Sequence, residues 1–159
     1  MQFRVGNTFG TTVHCSYGAF WLAFAMFLIP SLDIQGAYGG DQRAYTVAVG
    51  IFLIAWALLT AIFFLAALKT NIAILSVFFF LTLALLLLAI AQFVAVTHPT
   101  AATRVNRAGG AIAILDGLCA FYAGAAGMML PDTTWVRLPL GELDYPGPAM
   151  ERNKNKGPA

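Results

Sequence analysis

Long apolar stretches, separated by short polar breaks, set the layout of this chain. A hydrocarbon core about 30 Å thick needs roughly 20 helical residues per crossing. Thr11 to Pro30, Ala44 to Leu68 and Asn71 to Val96 contain no Asp, Glu, Lys or Arg, and Gly109 to Leu130 contains a single acid, Asp116. The pattern predicts four transmembrane helices, with spans at 11–30, 44–68, 71–96 and 109–130. Lys69 and Thr70 leave so little chain between the second and third spans that these must form a tight antiparallel hairpin. Transmembrane strands would alternate apolar and polar residues over segments of about 10, and the run from Leu83 to Ala89 does not alternate. The expected fold is all-α, a polytopic membrane helical bundle over residues 1–130. A polar tail over 131–159, carrying Pro139, Pro146, Pro148 and Pro158 among its charges, is expected to be flexible.

Composition agrees with this layout. Of the 159 residues, 60% are apolar and 10% charged, against roughly 45–50% and about 25% in a soluble domain. There is too little polar surface to cover a core in water, and the mean hydropathy of +0.78 points the same way. The formal charge is only +2, with no basic stripe among aromatics, which excludes a nucleic-acid partner. The first span is too long for a signal-peptide core and follows no basic leader beyond Arg4, so it reads as a retained helix. Four crossings put both termini on one side. Arg4, Lys69 and Arg137 lie there, opposed by Arg43, Arg104 and Arg107, and the tail residues Arg152, Lys154 and Lys156 tip the count toward cytoplasmic termini. Cys15 and Cys119 fall inside spans, where cysteine packs as a small apolar residue more often than it pairs.

Few side chains inside the spans can carry chemistry. Asn7 or Thr8 can cap the first helix by accepting from its free backbone N–H groups. Gly6, Gly10, His14 and Gly18 recur every four residues, a spacing that lets another backbone approach closely. Tyr17 flanks this stripe, and a phenol held mid-span needs a hydrogen-bond partner. His14 is either a proton relay or a neutral ring bonded to a neighbouring helix. Gln92 either lines a pathway or ties two helices together, with the tie favoured. Asp116 is a functional candidate because an acid inside a membrane is costly, and removal from water favours its neutral form. Seven residues into its span, it can equally sit in a hydrated site near the extracellular end. Gly109, Ala113, Gly117, Ala120, Gly124 and Gly127 suggest a close-packing stripe along the fourth helix. No phosphate loop, metal-ligand spacing or nucleophile motif is present in the sequence, and one intramembrane Asp cannot form a carboxylate dyad. The expectation is a protein that is not an enzyme and uses no metal or cofactor.

Gly6-Asn7-Thr8-Phe9-Gly10, followed by Ser16-Tyr17-Gly18-Ala19-Phe20-Trp21, closely resembles the third helix of the acetate uptake transporter family. That family holds the bacterial succinate/acetate permeases and the fungal acetate and ammonia-export proteins. The resemblance continues through Phe78-Phe79-Phe80-Leu81-Thr82, Leu88-Ala89-Ile90, Ala108-Gly109-Gly110, Ala120-Phe121-Tyr122 and Leu138-Pro139-Leu140-Gly141, and it is more fungal than bacterial in character. It implies that the four spans are the third to sixth of a six-helix fold. It also implies cytoplasmic termini, a hexameric homo-oligomer, and one pathway per protomer narrowed by Phe, Tyr and Leu. The Tyr falls on Tyr17 and the Leu on Leu81, while the Phe belongs to a first helix with no counterpart here. The family's Asn-Pro-x-Pro-x-Gly-Leu segment is also missing, so the chain is expected to be N-terminally truncated. The function implied is plasma-membrane transport of small monocarboxylates, acetate first, with a proton or as the neutral acid. Tyr17 would hydrogen-bond the carboxyl group, Leu81 would form a dry gate, and Gly6, Asn7, Thr8 and Gly10 would shape the helix entrance. The alternatives are ammonium or ammonia export, and a non-conducting subunit or sensor.

Overall fold

The computed structural model describes residues 6–129 and 134–143. Within them the chain forms four α-helices, α1 (Thr8–Leu28), α2 (Gln42–Ala66), α3 (Ile72–Val94) and α4 (Pro99–Met128), with two short 3-10 turns between α1 and α2. All four are long and apolar enough to cross a membrane, and the described residues contain one isolated β-bridge and no strand.

Side chains at the helix starts explain where three of the helices begin. Asn7 precedes α1 and its side chain accepts from Gly10 N–H at 2.9 Å, so Asn7 rather than Thr8 is the cap. Asp41 does the same for α2 through Ala44 N–H, and Asn71 for α3 through Ile74 N–H, both at 2.9 Å. The fourth helix starts at Pro99 rather than Gly109. Proline suits a first helical turn, where its missing N–H has no partner to lose, and the turns carrying Arg104 and Arg107 extend the helix beyond the apolar stretch. This moves Asp116 from near one end of a short span to the middle of a long helix.

Large rings set the spacing of α1 against α2. Phe20 stacks on Phe52 at a centroid distance of 5.8 Å and meets Trp56 edge-on at 5.1 Å. Small residues instead let α2, α3 and α4 pack closely as consecutive antiparallel neighbours. Ala57, Ala84, Ala89, Ala91, Ala102 and Gly109 are all buried. The buried seam of α4 is Ala102, Gly109 and Asp116, which takes only Gly109 from the small-residue stripe expected from its sequence. Gly117, Gly124 and Gly127 have no neighbour within 4 Å of where a Cβ would stand. The α1 stripe likewise meets no other helix of this chain, since Gly18 has open space beside it and the nearest atoms to Gly10 belong to its own cap, Asn7.

Phe9, on the first turn of α1, touches Phe63 near the end of α2 and Phe78 near the start of α3. One end of the bundle therefore gathers the start of α1, the α2–α3 turn and the end of α4. Part of the segment expected to be a flexible tail is held here. Ile72 N–H donates to Gly141 O at 2.9 Å and Ala73 N–H to Leu140 O at 3.2 Å, while Leu143 N–H donates back to Thr70 O at 3.3 Å. A helix start leaves four N–H groups without intrahelical partners. In α3 the residues around 140–141 and the Asn71 side chain take three of them, those of Ile72, Ala73 and Ile74. Gly141 has φ +68° and lies 3.1 Å, measured from a built Cβ, from the Ile72 side chain, so both backbone and space favour glycine. Residues 131–133 and 144–159 of the expected tail lie outside the described residues.

At Gly109 a Cβ would stand 3.1 Å from Leu88 and 3.3 Å from Leu87 Cβ, which the α3 backbone holds in place. Gly109→Leu is expected to destabilise the detergent-solubilised protein by about 1–3 kcal/mol through overpacking. Gly117→Ala is expected to stabilise it by up to about 1 kcal/mol through helix propensity. Thermal melts of the two variants check this, and equal effects would contradict the α3–α4 seam described.

Candidate functional site

The α1 residues Tyr17, Phe20, Phe24 and Phe27 recur at helical spacing on the side that meets α2. Tyr17 inserts between Trp56 and Phe63, at ring-centroid distances of 6.4 and 6.1 Å. Its hydroxyl reaches Thr60 Oγ1 at 2.8 Å. Thr60 is fully buried, and its one hydroxyl hydrogen is donated to Trp56 O at 2.8 Å. A threonine hydroxyl has one donor and two acceptor lone pairs, so with the Trp56 bond made, Tyr17 is the donor to Thr60. What Tyr17 then presents is an acceptor, its phenolic oxygen.

Leu81 and Tyr17 pack against the same buried group, which includes Phe20, Ala57 and Leu85. Asp116 is brought to this level by the register of α4 on α3. Gly109 meets Leu88, and because α4 runs antiparallel to α3, Asp116, two turns further along the same buried seam, lies nearer the start of α3. On the far side of that level, Cys119 and Ser76 line one cleft. The Asp116 carboxylate is within electrostatic reach of the Tyr17 hydroxyl. Asp116 is only 9% exposed, and its Oδ1 has no hydrogen-bond partner. Tyr17, Thr60 and Leu81 thus form one layer of the bundle, with Asp116 within electrostatic reach of it, apolar apart from two hydroxyls and a carboxyl group.

Other candidates lie elsewhere. His14 is exposed, and its Nδ1 donates to Gly10 O of its own helix at 2.6 Å. Gln92, near the end of α3, lines a shallow cleft of about 350 Å³ with Asn106 and Arg107, well away from the Tyr17 layer. Asn7, Thr8 and Gly10 form the start of α1, where Thr12 and Thr11 hydroxyls donate back to the Thr8 and Asn7 carbonyls. Gly6 adopts φ +72° just before it. Cys15 and Cys119 are free thiols. Sequence reasoning missed Thr60. The available signal was a hydroxyl in the middle of an uncharged span, the natural partner for the phenol of Tyr17.

Residues 1–145 match the GPR1/FUN34/yaaH family. The chain is 35% identical over 135 residues to the ammonia transport outward protein 2 of Saccharomyces cerevisiae, covering 85% of this chain and 46% of that protein. It is 32% identical over 148 residues to acetate permease A of Emericella nidulans, covering 91% and 50%. It therefore spans about half the length of these fungal relatives. Among solved structures, the bacterial acetate channel SatP superposes with a TM-score of 0.69 at 30% identity, over 88% of this chain and 71% of that one.

The Tyr17–Thr60 bond joins α1 to α2 inside an apolar layer. A double-mutant cycle of Tyr17→Phe and Thr60→Val, read by thermal unfolding in detergent, is expected to give a coupling energy of about 0.6–1.7 kcal/mol. Strictly additive effects would mean that the bond contributes nothing.

Proposed function

The chain belongs to the GPR1/FUN34/yaaH family, and from that premise we propose that it carries small monocarboxylates, acetate first, across a membrane in their neutral, protonated form. The observation that carries this reading is the direction of the Tyr17–Thr60–Trp56 chain of hydrogen bonds. With its proton engaged by Thr60, Tyr17 offers an acceptor to the layer. A carboxylate has no proton to give it, whereas the O–H of the neutral acid does. Leu81 beside it makes the passage dry, and a dry constriction passes a neutral acid more readily than a hydrated ion. The proton then travels as part of the substrate.

The names of the relatives support the substrate class, the one an acetate permease and the solved one an acetate channel. A plasma-membrane location with both termini in the cytoplasm completes the reading, on the tail charges Arg152, Lys154 and Lys156. So does a homo-oligomer, hexameric by resemblance. The exposed face of α1 at His14 and Gly18 supports it, because small residues there leave room for close approach by another helix.

A second reading, ammonium or ammonia export, is favoured by the same acceptor, because ammonium is donor-only, and by the relative named for outward ammonia transport. Expression in cells lacking their own acetate transporter separates the two. Labelled acetate uptake above that of empty-vector cells is expected, with no change in retention of labelled methylammonium; the reverse pattern would replace the first reading with the second. Tyr17→Ala is expected to lower acetate uptake at least severalfold. Leu81→Ala is expected to admit larger monocarboxylates such as butyrate, which the unaltered chain excludes. Unchanged rate and selectivity in both variants would make these residues packing only.

A further inference from the structure

Asp116 is the buried titratable group that this reading leaves unused. Its position is not that of a stray surface acid, because it lies on the seam by which α4 packs on α3, in line with Ala102 and Gly109. Its Oδ1 is buried and unpartnered. Such an atom is costly wherever water is excluded, and the cost is relieved when a proton or a donor occupies it.

The surroundings decide which form of Asp116 the layer accommodates. The helix packed against it, α3 (Ile72–Val94), contains no acidic, basic, histidine, cysteine or tyrosine residue. On α2 the charged and titratable residues are Arg43 and Tyr45, at the opposite end of that helix. On α4 itself Arg104 and Arg107 lie more than two turns away and Cys119 and Tyr122 follow toward the other end. From α1 the group within electrostatic reach is Tyr17, while His14 and Cys15 are exposed. Neither α3 nor the adjacent turns of α4 carry a cation to hold Asp116 ionised, and a proton on it relieves the cost of its unpartnered oxygen.

We propose that Asp116, protonated, is the donor half of a donor–acceptor pair with Tyr17 that recognises the carboxyl group of a monocarboxylic acid. This deepens the reading given under Proposed function and rests on it. A neutral carboxyl group has one O–H donor and one carbonyl acceptor. Tyr17 Oη accepts from the first, and the O–H formed on Asp116 donates to the second. The proton on Asp116 comes from water and returns to water: one O–H bond forms on the carboxylate as one breaks in hydronium, with no change of oxidation state. When Asp116 is ionised the layer holds acceptors and a negative charge, and it turns carboxylic acids away.

Asn at this position keeps a permanent N–H donor of similar shape that does not titrate. In the transporter-deficient cells, the ratio of labelled-acetate uptake by Asp116→Asn to that by the unaltered chain is expected to rise with external pH. The rise approaches about tenfold per pH unit once Asp116 is mostly ionised. Asp116→Leu, which has no donor, is expected to lower uptake at every pH, and Asp116→Glu to restore a falling profile. A ratio independent of pH would overturn the proposal. If the unaltered chain takes up no acetate, the transport reading fails, and infrared difference spectra of the purified protein decide the Asp116 assignment by themselves. A protonated-carboxyl band that shifts on adding acetate, and that is missing in Asp116→Asn, upholds it. The absence of such a band at mildly acidic pH, or a band indifferent to acetate, overturns it.

Discussion

A polar group carried into hydrocarbon has no water to bond, so it must be satisfied by the protein itself. This constraint shapes the hydroxyls in the helices. Ser76 donates to Ile72 O, Thr82 to Phe78 O and Thr60 to Trp56 O, each folding its proton back onto its own helix. These bonds leave the hydroxyl oxygens as acceptors only. Of the three, Thr60 receives a further bond from another helix, and that bond is what places the phenol of Tyr17. The chemistry available in the layer follows from how each helix satisfies its own hydroxyls: protons point inward along the helices and lone pairs point into the space between them. Asp116 is where the constraint is left open.

Two packing regimes decide where that space lies. Alanine and glycine bring α3 and α4 together so closely that a Cβ at Gly109 would press on Leu88. Rings hold α1 off α2, with Phe20, Phe24 and Phe27 facing Phe52 and Trp56. A phenol is long enough to bridge the wider seam and a serine is not, which is why a tyrosine makes the α1–α2 hydrogen bond. The tight seam supplies rigidity and carries Asp116 at a fixed depth. The wide seam is filled by those rings and holds Tyr17 against Thr60.

The four helices are legible in the sequence because an uncharged apolar stretch of membrane length has no polar face to turn toward water. Their caps are legible in part: both Asn7 and Thr8 have the right chemistry, and side-chain reach to Gly10 N–H decides for Asn7. The start of α4 is not legible. Hydropathy marks where lipid begins, whereas the helix runs on to Pro99 through turns whose arginines can point into water. The small-residue stripes mislead for a related reason. Spacing shows where a close approach is sterically permitted, and only the fold shows that Gly109 uses it while Gly117 and Gly18 do not. Proline and charge make residues 140–143 look like flexible tail, yet the unsatisfied N–H groups at the start of α3 give them something to bind. Tyr17 declares its need for a partner from sequence alone, while the partner, Thr60, is distant in sequence and emerges only from the α1–α2 contact.

On the transport reading proposed above, the scarcity of charge in the spans bears directly on selectivity. A ring of fixed charges discriminates by Coulomb energy and holds ions of either size tightly, whereas a layer of one donor and one acceptor discriminates by hydrogen-bond pattern. Leaving a buried donor or acceptor unmade costs about 1–3 kcal/mol, which corresponds to roughly 5- to 150-fold in occupancy. A substrate that matches both groups is preferred over one that matches neither by the product of two such factors, without any net charge in the hydrocarbon. A carboxyl group at position 116 suits this arrangement better than an amide or a hydroxyl, because it is a donor when neutral and an acceptor when ionised. Under the proposal for Asp116, the same side chain ties the identity of the admitted molecule to the proton supply outside.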